Sequence, residues 1–172
     1  VALCGIYMAA KSGHQAAFLA PTEVLAAQNF ALVQKFLPEY RAAFLAGSTP
    51  AKEKREIKRA LAAGELDIIC GTHAILQEDV EAKDLAFCVC DEQHRFGVAQ
   101  RSALGEKSAG ADMLVMSATP IPRTLSLIFY GDLDISEIKD KPKARAEIVT
   151  GIVPFRKYDD MLAYIGGEAK KG

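Results

Sequence analysis

Short apolar runs alternate with segments of helical spacing along most of this chain, and that alternation constrains the fold more than any other feature. Gln15–Ala20, Arg41–Ala46, Leu66–Cys70, Leu85–Cys90 and Asp112–Met116 read as strands. The fourth run is apolar throughout, which suits a strand covered on both faces. Between the runs, Val1–Ser12 reads as a helix stopped by Gly13. Thr22 looks like the N-cap of a helix reaching Leu37, with Glu23 in its first turn and Leu25, Leu32 and Phe36 as its buried stripe. Pro50 stands at the first position of a third helix, with Ile57, Ala60 and Leu61 inward and Gly64 closing it. Further helices are expected near Val98–Lys107 and Pro122–Tyr130. Strand–helix alternation of this kind calls for an α/β fold, a parallel sheet with helices on both faces.

The charged, proline-containing run Lys139-Asp140-Lys141-Pro142-Lys143 interrupts the alternation and reads as a linker, residues 139–145. It would separate a first lobe, residues 1–138, from the beginning of a second, residues 146–172, with a strand over Glu147–Val153 and a helix over Tyr158–Ile165. The 172 residues suit one compact domain plus a fragment of another. Val1 is no initiator methionine and no leader is visible, so the chain is expected to begin inside a longer protein. No apolar stretch approaches the roughly 20 residues that span a bilayer. Cys4, Cys70, Cys88 and Cys90 form no CxxC pair, and three lie in core strands. Free buried thiols imply a reducing, cytoplasmic setting. A net charge of −1 neither supports nor excludes a nucleic-acid partner, because helix N-termini and backbone amides can hold phosphates without a basic face.

Chemistry concentrates where the strands end. Asp91-Glu92-Gln93-His94 follows the fourth strand. Open α/β sheets bind ligands at the carboxyl ends of their strands. Adjacent carboxylates repel, so the pair is either a solvated acidic turn or two groups with separate tasks. Nucleotide hydrolysis supplies two tasks, one carboxylate holding Mg²⁺ and the next orienting the attacking water. Three other strand ends are also polar: Ala20-Pro21-Thr22-Glu23, Gly71-Thr72-His73-Ala74 and Ser117-Ala118-Thr119-Pro120. Each alone is a plausible capped loop. In a parallel sheet all four share one edge.

The four signatures, in this order, resemble the first RecA-like motor lobe of superfamily 2 helicases. The longer segments Asp91–Val98 with Gln100-Arg101, Ser117–Leu125, Ala20–Gln28 and Tyr130–Asp134 resemble the RecG-type ATP-dependent DNA helicases over essentially the whole chain. The motor of the transcription-repair coupling factor is similar but usually reads Asp-Glu-Glu-His, so Gln93 favours the RecG type. RNA helicases of the Asp-Glu-Ala-Asp kind fit less well. The resemblance implies ATP and Mg²⁺ as cofactors, with Asp91 on the metal and Glu92 as the catalytic carboxylate. Gln93 and His94 would report the nucleotide state. Ser117, Ala118 and Thr119 would couple that state to movement. Pro21, Thr22, Glu23, Gly71, Thr72 and His73 would face DNA, branched or forked. A second RecA-like lobe and an upstream DNA-binding domain of the same parent chain would be partners, in repair and recombination. Arg95 and Arg123 could touch DNA or phosphate, or simply pair with acids; Phe96 is expected to pack.

One departure matters. The 172 residues contain no phosphate-binding loop of the form G-x-x-x-x-G-K-[ST]. Without it and the second lobe, this stretch alone is expected to be inactive. A non-catalytic nucleic-acid-binding module is the alternative from another functional class. A metabolic enzyme using Asp91 and Glu92 would leave the other strand ends unexplained.

Overall fold

A computed structural model of the protein describes residues 1–92, 96, 110–118, 134–138 and 150–170. The chain divides into two compact units, Val1–Arg123 and Thr124–Gly172.

The first unit contains α1 (Ala2–Lys11), β1 (Gln15–Leu19), α2 (Glu23–Phe36), β2 (Ala42–Leu45), α3 (Ala51–Ala63), β3 (Ile68–Gly71), a 3₁₀ turn (His73–Leu76), β4 (Leu85–Asp91) and β5 (Asp112–Met116). The five strands form one parallel sheet in the order β2-β3-β1-β4-β5. From β1 the chain first moves outward to β2 and back to β3. It then crosses β1 to build β4 and β5 on the other side. The strand order therefore reverses between β1 and β4, the kind of switch point where open sheets bind ligands.

Side chains alternate across the sheet, and each face has its own core. On one face Ala16, Phe18, Ile68, Cys70 and Val89 pack with Ala2 and Ile6 of α1 and Val33 of α2. On the other, Ala17, Leu19, Ile69, Cys88 and Cys90 pack with Ile57 and Leu61 of α3, the 3₁₀ turn and Phe96. Phe96 is thus buried packing, as expected. Gln15 is a buried polar residue with every side-chain group employed. Its amide nitrogen donates to the carbonyls of Leu61 (2.9 Å) and Leu66 (2.8 Å), and its carbonyl accepts from the Asp84 amide (2.9 Å). That satisfies the burial rule and ties the amino ends of the strands together. Gly13 and Gly64 end α1 and α3 with φ of 86° and 76°, in the region glycine favours.

The inward face of α2 differs from the expected stripe. Leu32 and Phe36 are exposed and Leu25 is half-buried, whereas Ala26 and Val33 are fully buried. The stripe Ala26, Phe30, Val33, Leu37 has the same spacing one residue further on. Ala26 lets the helix backbone approach the sheet, and the Phe30 ring meets Phe44 at 5.7 Å between centroids. The two stripes have equal spacing, and packing buries the one that carries the small Ala26. Pro50 is the N-cap of α3 rather than its first helical residue, and Ala60 is only half-buried.

In the second unit, α4 spans Tyr158–Ala169, four residues longer than expected. A 3₁₀ turn, Phe155–Lys157, precedes it, and the Phe155 and Tyr158 rings stack at 5.9 Å. The strand expected over Glu147–Val153 is not formed in its described part: residues 150–153 have no regular structure. The expected helices near 98–107 and 122–130, the linker 139–145, and Gln93, His94, Arg95, Thr119 and Arg123 lie outside the described residues. Among the described residues no helix is long and apolar enough to cross a membrane.

Candidate functional site

Parallel pairing places every strand's carboxyl end at the same level. Leu45 stands opposite Gly71, Gly71 opposite Leu19, Leu19 opposite Cys90, and Asp91 opposite Met116. The polar segments that follow these residues therefore line one rim. Across the sheet they run Gly47-Ser48, Thr72-His73, Pro21-Thr22-Glu23, Asp91-Glu92 and Ser117-Ala118, with neighbouring strands about 4.8 Å apart.

Asp91 is the last residue of β4, half-buried beside the switch point. Glu92 leaves the strand with φ of 51°, a left-handed conformation that costs a non-glycine residue about 1–2 kcal/mol. The Glu92 amide donates to the Met116 carbonyl at 2.8 Å, extending the ladder by one bond. Its carboxylate leans over the β5 tip, where Oε1 accepts from the Ala118 amide at 3.3 Å and Oε2 from the Ser117 hydroxyl at 3.4 Å. Both bonds are long and exposed, hence individually weak. Two of the expected coupling residues thus touch the expected catalytic carboxylate directly. Among the described residues no cluster of three His, Cys, Asp or Glu side chains could cage a metal.

The three tips on the other side are fastened differently. Thr22 caps α2, its hydroxyl accepting from the Leu25 amide at 3.3 Å while its own proton stays available to an acceptor. Thr72 is buried, and its hydroxyl accepts from the Ala74 amide at 3.5 Å; exposed His73 is the outward part of that tip. A Cβ on Gly71 would stand 1.8 Å from the Leu45 carbonyl oxygen, so only glycine allows β2 this close. Glu23 reaches the turn after β2, a segment that the sequence pattern marks only as the start of a helix. Its Oε1 accepts from the Ser48 amide at 3.0 Å and its Oε2 from the Ser48 hydroxyl at 2.6 Å. These bonds, the hydroxyl's first, hold the Glu23 carboxyl below its usual range. Gly47 and Ser48 also follow a strand, and that position is the signal that could have found them.

The buried thiols contribute no chemistry here. Burial pushes Cys70, Cys88 and Cys90 each up to about 12, so they remain protonated and inert.

Residues 1–128 match the family model described as DEAD/DEAH box helicase. The chain belongs to this family. It is 45% identical over all of its 172 residues to the ATP-dependent DNA helicase RecG of Streptococcus pneumoniae, covering 26% of that protein. Over its full length it is 43% identical to RecG of Bacillus subtilis, again covering 26%. RecG of Thermotoga maritima is 43% identical over 94% of the chain, which covers 21% of that protein. A solved structure of RecG bound to a three-way DNA junction superposes with a TM-score of 0.80 and 38% identity, over 99% of this chain and 23% of that one. The RecG-type resemblance of the sequence and the RecA-like helicase fold are both borne out. The chain spans about a quarter of the length of the RecG proteins it matches.

Proposed function

We propose that this chain is part of the motor of an ATP-dependent DNA helicase that remodels branched DNA. Its share of the work is to present the hydrolytic carboxylates and to link them to the DNA-facing rim. The bond set between Glu92 and Ser117-Ala118 carries the reading. A general base for water must be oriented, and a coupling segment must sense it. One pair of long, exchangeable bonds serves both needs.

When bound, Mg²⁺-ATP supplies the scissile phosphate and the charge that the metal neutralises. The residues present fit half of that group. Asp91, half-buried at the end of β4, would supply one carboxylate to a Mg²⁺ shared with water and phosphate oxygens. The loop that would cradle the phosphates is not in these 172 residues. Glu92, released from Ser117 and Ala118, would accept a proton from the attacking water. Gln93, His94 and Thr119 are assigned to the same relay. Pro21, Thr22, Gly71 and His73 are assigned to the DNA backbone, with Thr72 shaping the turn that carries His73. Such contacts carry no base code and suit a protein that works on any sequence. The junction-bound relative favours branched DNA as the substrate. The reaction belongs to the cytoplasm, where DNA and ATP meet.

The test uses the full-length protein containing this chain. Glu92→Gln should lower DNA-stimulated ATP hydrolysis about 10²–10⁴-fold while ATP binding persists. Asp91→Asn should also suppress turnover and raise the Mg²⁺ requirement. Near-normal turnover in both variants would refute the catalytic assignment. Intact binding of forked DNA with no hydrolysis even in the unsubstituted protein would favour the non-catalytic module.

A further inference from the structure

Glu23 sits in the segment assigned to the DNA backbone, yet a carboxylate facing phosphates is repelled by them. The structure gives it another task. Strands β1 and β2 do not pair, because β3 lies between them. No ladder bond can join their tips. Glu23 spans the gap over the end of β3 and binds both the amide and the hydroxyl of Ser48.

The turn it grips is built to be held. The Thr49 hydroxyl accepts from the Ala46 amide at 3.0 Å, and the Thr49 amide donates to the Ala46 carbonyl at 3.3 Å. Lys54 Nζ donates to the Gly47 carbonyl at 2.8 Å, placing a positive charge beside the carboxylate. A Cβ on Gly47 would come within 3.2 Å of Glu23 Oε1, so the turn and the carboxylate are fitted to each other.

We propose that Glu23 is a positioning residue, fastening the Gly47-Ser48 turn through Ser48 to the start of α2 so that both tips present one fixed edge to the nucleic-acid backbone. This rests on the proposed function above. Glu23 touches no DNA. It sets where Thr22 and the turn stand relative to each other, which decides whether successive phosphates can be met together.

The experiment measures ATP hydrolysis by the full-length protein against forked-DNA concentration, together with exchange of the Ser48 amide. Glu23→Ala should raise the DNA concentration for half-maximal stimulation about fivefold, more than it lowers the maximal rate, and should speed Ser48 exchange. Ser48→Ala, which removes the hydroxyl bond and keeps the amide bond, should reproduce part of the DNA effect. The double variant should be no worse than Glu23→Ala alone, because that substitution already removes both bonds of the link. Glu23→Gln, which keeps an oxygen for Ser48, should recover part of the loss. Unchanged or tighter DNA half-saturation in Glu23→Ala, multiplicative effects in the double variant, or unchanged Ser48 exchange would each overturn the proposal while leaving the helicase reading intact. Absence of DNA stimulation in the unsubstituted protein would overturn both.

Discussion

The two ends of the rim are built on opposite plans. On the β2–β3–β1 side, Gly71 admits the Leu45 carbonyl where no side chain fits, Thr72 is buried, and Glu23 grips Ser48 at 2.6 Å. On the β4–β5 side, Glu92 holds a left-handed conformation and meets Ser117 and Ala118 through exposed bonds of 3.3–3.4 Å. The Glu23–Ser48 hydroxyl bond is short, whereas the Glu92 bonds to Ser117 and Ala118 are long and individually weak. Under the proposed function, the first end would serve as the fixed edge for the nucleic-acid backbone and the second as the part that changes partners.

Substitutions that ignore function test the contrast most sharply. Gly71→Ala should cost more than about 3 kcal/mol, because the added Cβ meets backbone rather than a flexible side-chain end. A denaturation midpoint close to that of the unsubstituted protein would mean β2 and β3 can move apart, and the fixed end would not be fixed.

The packing of α2 gives a mid-sized test. Val33→Ala should cost about 2 kcal/mol, from lost burial and the void left behind. Leu32→Ala, one residue earlier and exposed, should stay within about 0.5 kcal/mol. The reverse order would restore the Leu25, Leu32, Phe36 stripe as the buried one.

The smallest effect concerns pH. The Glu23 carboxyl lies below its usual 4.5, chiefly through the Ser48 hydroxyl. A depressed carboxyl stabilises the fold above its ordinary range, and that contribution is lost as pH falls through the lowered value. The Ser48 amide resonance should therefore titrate below 4.5, and the step should vanish in Glu23→Gln. Titration at or above 4.5 would show that the grip does not persist in solution.

Much of this architecture is legible in the amino acids alone. Thr22, Gly13 and Gly64 announce helix boundaries through chemistry local to a few residues: a hydroxyl for an orphan amide, and glycine for a left-handed turn. Apolar runs of strand length between helices leave few arrangements besides a parallel sheet, and parallel strands put their polar ends on one edge. The resemblance in the segments around Asp91 and Ser117 then names the chemistry. The buried stripe on α2 is not legible in this way, because two stripes of identical spacing differ only in how closely they let the helix approach the sheet. The fate of residues 150–153 is hidden for another reason: pairing depends on neighbours, not on the run itself.

From α1 to β5 the sequence by itself determined the described elements, their alternation and the motif set, since these rest on interactions spanning a few residues. Only the tertiary structure decided what touches what along the rim. Glu92 meets Ser117 across 25 residues, and Glu23 meets Ser48 across another 25. Contacts at such separations follow from strand order and register, which no local pattern encodes.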